Sequence, residues 1–221
     1  MINTVLFDLD GTIIDTNELI ISSFIHVMGK NFPGQPYARE QIIPYMGMTL
    51  EHQLQTFSGR QEVADLVADY REYNYAHHDS MVAEFPRVHE VISTLHARGI
   101  RLGVVTTKIR PTTLLALEMF KLKEYMDVIV TVQDVQHPKP HPEPVLTAIQ
   151  QLGVDPAHTL MVGDSPADIK SAKAAGVMAA GVAWSLKGEE ELRKYDPDVI
   201  LQDMTDLYGL MGWESEDSEK G

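Results

Sequence analysis

Two carboxylates near the start of the sequence, Asp8 and Asp10, carry its first chemical signal. They stand two residues apart at the end of an apolar run, residues 4–8, and Gly11 follows them. Side chains at i and i+2 of an extended chain share one face, and ligands bind at the carboxyl ends of parallel strands. Such a pair can supply a nucleophile, a general acid or base, and oxygen ligands for a metal. On its own, the pattern also fits a turn whose carboxylates accept backbone hydrogen bonds.

A second acidic pair, Asp164 and Asp168, lies in residues 162–168 (Val-Gly-Asp-Ser-Pro-Ala-Asp). Ser165 is a favourable N-cap and Pro166 suits the first position of a helix. The pattern predicts that Asp164 ends a strand and that Asp168 lies in the first turn of the next helix. It also fits a helix start whose acids only interact with the positive end of the helix dipole.

Two further segments carry a hydroxyl and a lysine that suit a phosphate group. Residues 104–108 (Val-Val-Thr-Thr-Lys) place Thr106 at a predicted strand end, where its hydroxyl can donate to a phosphate oxygen, although Thr is common in strands. Residues 137–144 (His-Pro-Lys-Pro-His-Pro-Glu-Pro) form a loop that alternate prolines stiffen around Lys139. Its two histidines are interpreted as surface residues and not as metal ligands, because hard oxygen ligands are better supplied by the carboxylates elsewhere.

Short apolar runs that alternate with helical patterns must position these side chains. Helical patterns in the second half cover residues 112–120 and 166–175. Alternating strands and helices imply right-handed crossovers and a parallel sheet of the α/β class. The predicted strands are residues 4–8, 101–106, 127–132, 159–163, 177–182 and 198–201.

Residues 16–80 interrupt this alternation with helical periodicity and no clear strand. A helical block after the first strand predicts a cap over the carboxyl end of the sheet, with a core formed by residues 1–15 and 81–221. Residues 45–50 (Tyr-Met-Gly-Met-Thr-Leu) form the cap loop expected to face the site. The apolar residues assigned to two helix faces are Leu19, Ile20, Phe24, Val27, Val63, Leu66, Val67 and Tyr70.

The composition narrows the possible partners. The chain has 221 residues, of which 44% are hydrophobic and 23% charged, and its net charge is −14. An acidic chain is a poor partner for nucleic acid or an anionic membrane surface, and an anionic substrate needs a site made locally positive. The absence of cysteine excludes disulfides and thiolate chemistry. The N-terminus lacks a signal-peptide pattern, so a cytoplasmic location is expected, and residues 213–221 are expected to form a solvated acidic tail.

Taken in their order along the chain, the four segments resemble the signature motifs of the haloacid dehalogenase (HAD) superfamily. These motifs are Asp-x-Asp-Gly-Thr, a strand-end Ser or Thr, Lys-Pro, and Gly-Asp-x-x-x-Asp. The resemblance covers nearly the whole chain and includes the helical insertion after the first motif. It implies a HAD-like Rossmannoid parallel sheet flanked by helices, with a helical cap inserted after the first strand. It also implies a Mg²⁺-dependent phosphohydrolase that acts on a small phosphate substrate through an aspartyl-phosphate.

The same resemblance implies a role for each acidic residue. Asp8 is expected to be the nucleophile, and Asp10 the general acid for the leaving group and then the base for the hydrolytic water. Mg²⁺ is expected to be bound by Asp8, the Asp10 backbone carbonyl and Asp164. Asp168 is expected to steady that set of ligands from behind.

The resemblance also implies which residues bind the phosphoryl group. Thr106 and Lys139 are expected to hold it, assisted by the backbone N–H groups of Gly11 and Thr107. Mg²⁺ and Lys139 would offset the repulsion between the carboxylates and a dianionic phosphoryl group.

Comparison of single residues and short segments with branches of this superfamily indicates the class of substrate. Asp10 disfavours the dehalogenase branch, which lacks an acid there, and Ile20 stands where β-phosphoglucomutases carry a cap histidine. Several segments are similar to the HAD-type inorganic pyrophosphatases of the PpaX group, which implies pyrophosphate as the substrate. These segments are residues 15–24, 75–79, 106–110 and 180–188.

A compact diphosphate substrate makes three further residues candidates for substrate binding. Lys108 and Arg110 follow the strand-end hydroxyls and are expected to bind a leaving phosphate. Gly47 lies in the small cap loop and is expected to contact the substrate. Phosphoglycolate and sugar-phosphate phosphatases share the core motifs and are alternatives, as is a non-catalytic phosphoacceptor or regulatory relative.

Overall fold

A six-stranded parallel sheet forms the centre of the molecule, for which the computed structural model describes residues 1–213. The strand order is β5-β4-β1-β6-β7-β8, and every neighbouring pair is parallel. The predicted α/β class and all six predicted strands are confirmed, with bounds that differ by at most two residues at an end. The strands of the described residues are β1 (Thr4–Phe7), β2 (Ile14–Asp15), β3 (Ala83–Glu84), β4 (Arg101–Val105), β5 (Val128–Val130), β6 (Thr159–Gly163), β7 (Met178–Val182) and β8 (Val199–Leu201).

Helices connect the strands and flank the sheet. The two helices predicted in the second half are confirmed as α6 and α8, and α6 begins two residues early because Pro111 suits a first helical turn. The helices are α1 (Asn17–Asn31), α2 (Arg39–Ile42), α3 (Leu50–Ser58), α4 (Ala64–Met81), α5 (Val88–Ala97), α6 (Arg110–Met119), α7 (Glu143–Leu152), α8 (Pro166–Ala174), α9 (Glu189–Arg193) and α10 (Asp206–Leu210). Among residues 1–213, no helix is both long and apolar enough to cross a membrane.

Strand β1 lies between β4 and β6 and is buried on both faces. Val5 and Phe7 pack into the hydrophobic cluster that contains α5, whereas Leu6 packs into the cluster that contains α7 and α8. Alternate residues of a strand point to opposite faces, and here helices cover both. This burial fixes the position of the strand end that Asp8 follows.

Helices α1 to α4 have their own hydrophobic cluster, which includes Phe24, Leu54 and Tyr70. The predicted helix faces are buried, except that Ile20 is only partly buried and lines a cavity. The chain enters and leaves this block through β2 and β3, which pair antiparallel. We keep the division into a cap (16–80) and a core (1–15 and 81–221) as a proposal, with this strand pair as the junction. Residues 214–221, most of the predicted acidic tail, lie outside the described residues.

Candidate active site

Three adjacent strands place the predicted site residues at one edge of the sheet. Phe7 of β1 is in register with Val104 of β4 and with Val162 of β6. The segments that follow β1, β4 and β6 therefore leave the sheet at the same end. Asp8 is the first of these residues, and its backbone N–H donates to the Val162 carbonyl (2.8 Å). Local strand register thus brings together the motifs that lie far apart in the sequence.

A buried lysine connects the acidic residues. Lys139 Nζ donates to Asp8 Oδ1 (2.8 Å), to Asp168 Oδ1 (2.5 Å) and to the Val105 carbonyl (2.8 Å). Burial lowers the pKa of Lys139, but the Asp168 and Asp8 carboxylates outweigh this effect and raise it above its usual range. Because all three ammonium donors have acceptors, Lys139 is held as a fixed positive charge beside Asp8.

The carboxylates of Asp8, Asp164 and Asp168 form a buried cluster whose ligand atoms lie within 4.8 Å of one another. Burial raises the pKa of Asp8 to about 8 and that of Asp164 to about 6, and the neighbouring carboxylates add to both shifts. A bound divalent cation would remove this repulsion, and hard oxygen donors suit Mg²⁺. A Cβ at Gly11 would lie 2.6 Å from Asp164 Oδ2, so only glycine lets the backbone approach this closely. The carboxylate oxygens, together with the close approach of the Gly11 backbone, therefore fit a divalent metal.

Asp168 differs from the other two carboxylates because its oxygens already have protein partners. Its Oδ2 accepts from the backbone N–H (3.0 Å) and the hydroxyl (2.6 Å) of Ser165, and its Oδ1 accepts from Lys139. Ser165 is the N-cap of α8, as the sequence predicts. A Cβ at Gly163 would lie 2.3 Å from Asp168 Cβ, which explains the glycine before Asp164. Asp168 is thus placed to position Lys139.

Asp10 faces a cationic partner across the site. Lys108 Nζ lies 3.0 and 3.1 Å from its two carboxylate oxygens, and the Thr16 hydroxyl donates to Asp10 Oδ1 (2.7 Å). The backbone N–H of Lys108 donates to Thr106 Oγ1 (3.1 Å), so this turn is tied to the end of β4. Asp8, Asp10, Thr106 and Lys108 all line one cavity.

This cavity lies between the cap and the sheet edge and has a volume of about 100 Å³. Gly47 lies in close contact with the segments that follow β4 and β6. Its carbonyl accepts from the Thr107 hydroxyl (3.2 Å), and a Cβ at Gly47 would lie 2.8 Å from Ser165 Oγ. The positive φ of Gly47, 92°, also favours glycine. The predicted cap loop therefore does face the site. The cap residues that line the cavity are Ile20, Met46, Gly47, Met48, Leu50, Glu51, Gln53, Tyr70, Arg71, Asn74 and Tyr75.

The guanidinium of Arg110, a predicted site residue, binds partners outside this cavity. Its guanidinium donates to Asp134 (2.7 Å) and to the Ile129 carbonyl (3.1 Å), and it is not among the residues that line the cavity. Strand β5 and the segment that follows it supply these partners, so the position of Arg110 depends on contacts distant in sequence. This geometry argues against the predicted contact between Arg110 and a leaving phosphate.

Two cationic residues near the site were not singled out from the sequence as site residues. The side chain of Lys187 is only 4% exposed, and its Nζ lies 3.8 Å from Asp164 Oδ2. Its position just after β7, at the carboxyl end of a parallel strand, is the signal that could have identified it. Arg71 lines the cavity from α4 and lies 3.6 Å from Glu51. No comparable local signal in the sequence marks Arg71, because its position at the cavity depends on how the helices of residues 16–80 pack.

Comparison with known proteins identifies relatives of this chain. A family model described as haloacid dehalogenase-like hydrolase matches residues 5–182. Pyrophosphatase PpaX of Bacillus pumilus is 49% identical over 213 residues, which is 96% of this chain and 97% of the relative. Pyrophosphatase PpaX of Anoxybacillus flavithermus is 44% identical over 211 residues, with the same coverage of 96% and 97%. A predicted phosphatase of Clostridium acetobutylicum has a crystal structure with a TM-score of 0.85 at 26% identity, covering 96% of this chain and 98% of that one.

These findings confirm the resemblance to the PpaX-type pyrophosphatases that the sequence motifs indicated. The family match covers most of the chain, including the segments that hold Asp8, Thr106, Lys139 and Asp164. The similarity at the level of the fold extends through the cap, because the superposition covers nearly the whole chain. This enzyme belongs to the family of haloacid dehalogenase-like hydrolases.

Proposed function

We propose that this enzyme is a Mg²⁺-dependent phosphohydrolase that uses Asp8 as a nucleophile and forms an aspartyl-phosphate. The observation that carries the proposal is the position of the Asp8 carboxylate. It lies at a cap-covered cavity, 2.8 Å from the ammonium group of Lys139 and within 4.8 Å of a ligand oxygen of Asp164. A fixed cation beside a nucleophilic carboxylate suits a reaction that transfers a charged phosphoryl group.

The two chemical steps can be assigned to Asp8 and Asp10. In the first, an Asp8 oxygen attacks phosphorus in line, the bond to the leaving oxygen breaks, and Asp10 gives that oxygen a proton. In the second, Asp10 takes a proton from water, the water oxygen attacks phosphorus, and the Asp8 carboxylate leaves. Together, the two steps return Asp8 and Asp10 to their starting protonation states.

The remaining predicted residues hold the transferring group. Lys139 places positive charge next to the attacking oxygen, and the Thr106 hydroxyl lines the same cavity. The backbone N–H of Thr107, near the end of β4, is a further donor. The backbone N–H of Gly11 instead donates to the Ile14 carbonyl (2.9 Å), which argues against the predicted role of Gly11. Mg²⁺ held by Asp8, the Asp10 carbonyl and Asp164 would supply positive charge that offsets the repulsion between the carboxylates and the substrate.

Inorganic pyrophosphate is the proposed substrate. The relatives that share 44% and 49% identity over 96% of the chain are named pyrophosphatases. The cavity of about 100 Å³ is small beside the roughly 300–1,000 Å³ of pockets for drug-sized ligands, which favours a compact substrate. Lys108 lines the cavity together with Asp8, so it can meet the second phosphate of a diphosphate. We place this reaction in the cytoplasm as part of the same proposal.

A phosphate-release screen tests the substrate assignment. We expect kcat/KM to be highest for pyrophosphate among pyrophosphate, phosphoglycolate and sugar phosphates, and turnover to stop when the metal is chelated. A preference for phosphoglycolate or a sugar phosphate would refute pyrophosphate while leaving the phosphohydrolase intact. Full activity in excess chelator would refute the metal-dependent mechanism.

A further inference from the structure

The loop that carries Lys139 also carries a cluster of metal-ligating side chains that the proposed hydrolysis does not use. One donor atom from each of His137, His141 and Glu143 lies within 4.8 Å of the other two. We propose that these three side chains form a second metal site, which binds a borderline-soft divalent transition-metal ion such as Zn²⁺, Ni²⁺ or Co²⁺. The site is distinct from the buried carboxylate cluster, with which it shares no residue.

The donor chemistry separates the two sites. Two imidazoles and one carboxylate form a set that suits Zn²⁺ and its late first-row neighbours. Mg²⁺ prefers oxygen ligands, which Asp8, the Asp10 carbonyl and Asp164 are proposed to supply. The same chain can therefore hold Mg²⁺ at the carboxylates and a transition metal at the histidines.

The distances from the two histidines to Glu143 lie on either side of the ligand separation in a tetrahedral site. His137 Nδ1 lies 2.8 Å and His141 Nδ1 lies 4.0 Å from Glu143 Oε2. Tetrahedral ligands at about 2.0–2.2 Å from the ion are separated by about 3.4 Å, and the two distances fall on either side of this value. The His137 and His141 side chains are 63% and 51% exposed, so small rotations can adjust both. Solvent can fill the fourth position.

The backbone of the loop is fixed before any ion binds. The Glu143 carboxylate accepts from the backbone N–H groups of Gln136 (2.8 Å) and His137 (2.9 Å), which hold the pKa of Glu143 below its usual range. The Ser171 hydroxyl of α8 donates to the His141 carbonyl (2.7 Å). The Glu143 backbone N–H donates to His141 Nδ1 (3.2 Å), which orients this ring toward the carboxylate; the bound ion replaces that hydrogen bond. Alternate prolines limit the loop further.

A bound ion would act on the part of the chain that positions the catalytic lysine. Lys139 lies between His137 and His141 in sequence, and its ammonium group holds Asp8 and Asp168. Joining the two histidines to Glu143 would tie both sides of this loop to the start of α7. We therefore expect the ion to raise the melting temperature of the protein that carries all three ligands.

Calorimetric titration of the untagged full-length protein tests this site. Ni²⁺ or Zn²⁺ is added in the presence of saturating Mg²⁺, so that the buried carboxylates are occupied by the competing ion. We expect one ion to bind per chain, and the same titration with Co²⁺ to give an absorption spectrum of a mixed nitrogen and oxygen site. Substitution of both histidines (His137→Gln with His141→Gln) should weaken binding more than about tenfold and remove the gain in melting temperature.

A matched control removes two exposed histidines elsewhere. His52→Gln with His158→Gln changes residues that belong to no metal-ligating cluster among residues 1–213, and it should leave the affinity unchanged. Glu143→Gln should also weaken binding. The proposal is overturned if the wild type binds no more tightly than the His137 and His141 variant, if the control loses as much affinity, or if Glu143→Gln has no effect. Because the readout is metal binding, these results do not depend on which phosphate substrate the enzyme hydrolyses.

Discussion

The ammonium group of Lys108 lies 3.0 and 3.1 Å from the two carboxylate oxygens of Asp10. Both side chains are largely buried, 11% and 20% exposed, and both line the cavity beneath the cap. The cation proposed to meet a leaving phosphate is therefore in contact with the residue proposed to protonate it. A substrate that binds Lys108 must draw this ammonium group at least partly away from Asp10, so substrate binding and proton transfer are coupled.

Replacing Lys108 with methionine should reduce kcat/KM for pyrophosphate by about 10–100-fold, the cost of losing one charge-assisted hydrogen bond. The loss should be smaller for a phosphomonoester whose leaving group carries no charge, because that substrate has no second phosphate for Lys108 to bind. Steady-state kinetics with the two substrates measures the difference.

Arg110→Met is the matched control for this prediction. Its guanidinium is engaged by Asp134 and the Ile129 carbonyl, away from the cavity, so we expect kcat/KM for pyrophosphate to change less than it does for Lys108→Met. A larger loss in Arg110→Met would mean that the arginine, as the sequence predicted, binds the leaving phosphate.

Asp8→Asn should lower turnover on the order of 10⁴–10⁶-fold, as expected when a covalent nucleophile is removed. The amide oxygen can still accept a hydrogen bond from Lys139, so the fold should persist. Phosphate release and circular dichroism of the purified variant measure the two effects. Substantial residual turnover by a folded Asp8→Asn protein would show that another group attacks phosphorus.

Stability in the absence of metal should fall as the pH rises from about 5 to about 8. The folded chain raises the pKa of Asp8 from 3.8 to about 8 and that of Asp164 from 3.8 to about 6. A group with a raised acid pKa binds its proton more tightly in the folded chain, so its ionisation favours unfolding in this window. Mg²⁺ binds the ionised forms and should therefore raise the melting temperature more at about pH 8 than at about pH 5.5. Thermal melts in chelator and in Mg²⁺ measure both trends.

Asp8→Asn provides the control for this pH dependence. The variant lacks the carboxyl group whose pKa is raised further, so its metal-free melting temperature should fall less between about pH 5.5 and about pH 8. An unchanged slope in Asp8→Asn would show that other groups cause the loss of stability.

The sequence predicted the positions of those candidate site residues that follow the ends of strands. Asp8, Thr106 and Asp164 each follow a buried strand, and a parallel sheet brings such positions to one edge. The pair β2–β3 was not predicted, because two-residue strands show no periodicity. The direction of the Arg110 side chain was not predictable either, since it depends on partners from β5 and from the segment that follows it. Contacts between distant segments decide these features, and local patterns do not encode them.

Asp10→Asn separates the two chemical steps and so tests both the mechanism and the substrate. Phosphate is a far better leaving group than a sugar alkoxide, so expelling it from pyrophosphate requires less proton donation. General acid catalysis contributes about 10²–10⁴-fold, and a sugar phosphate should lose much of that range in the phosphorylation of Asp8. With pyrophosphate this step should suffer less, whereas breakdown of the aspartyl-phosphate should be slow for either substrate because Asp10 also activates the water.

Rapid-quench kinetics of Asp10→Asn should therefore show a burst of one phosphate per site with pyrophosphate, followed by slow turnover. The amide oxygen of the Asp10→Asn variant can still accept a hydrogen bond from Thr16, so the geometry around β1 should be kept. Thr16→Val is the control for the loss of that contact. This variant retains the Asp10 carboxyl group and should therefore show no such burst. If Asp10→Asn shows no burst and phosphorylation slows equally with both substrates, then Asp10 does not act as the acid of the first step and the base of the second step as proposed. Because the burst requires a covalent enzyme intermediate, its appearance would also support Asp8 as the phosphorylated group.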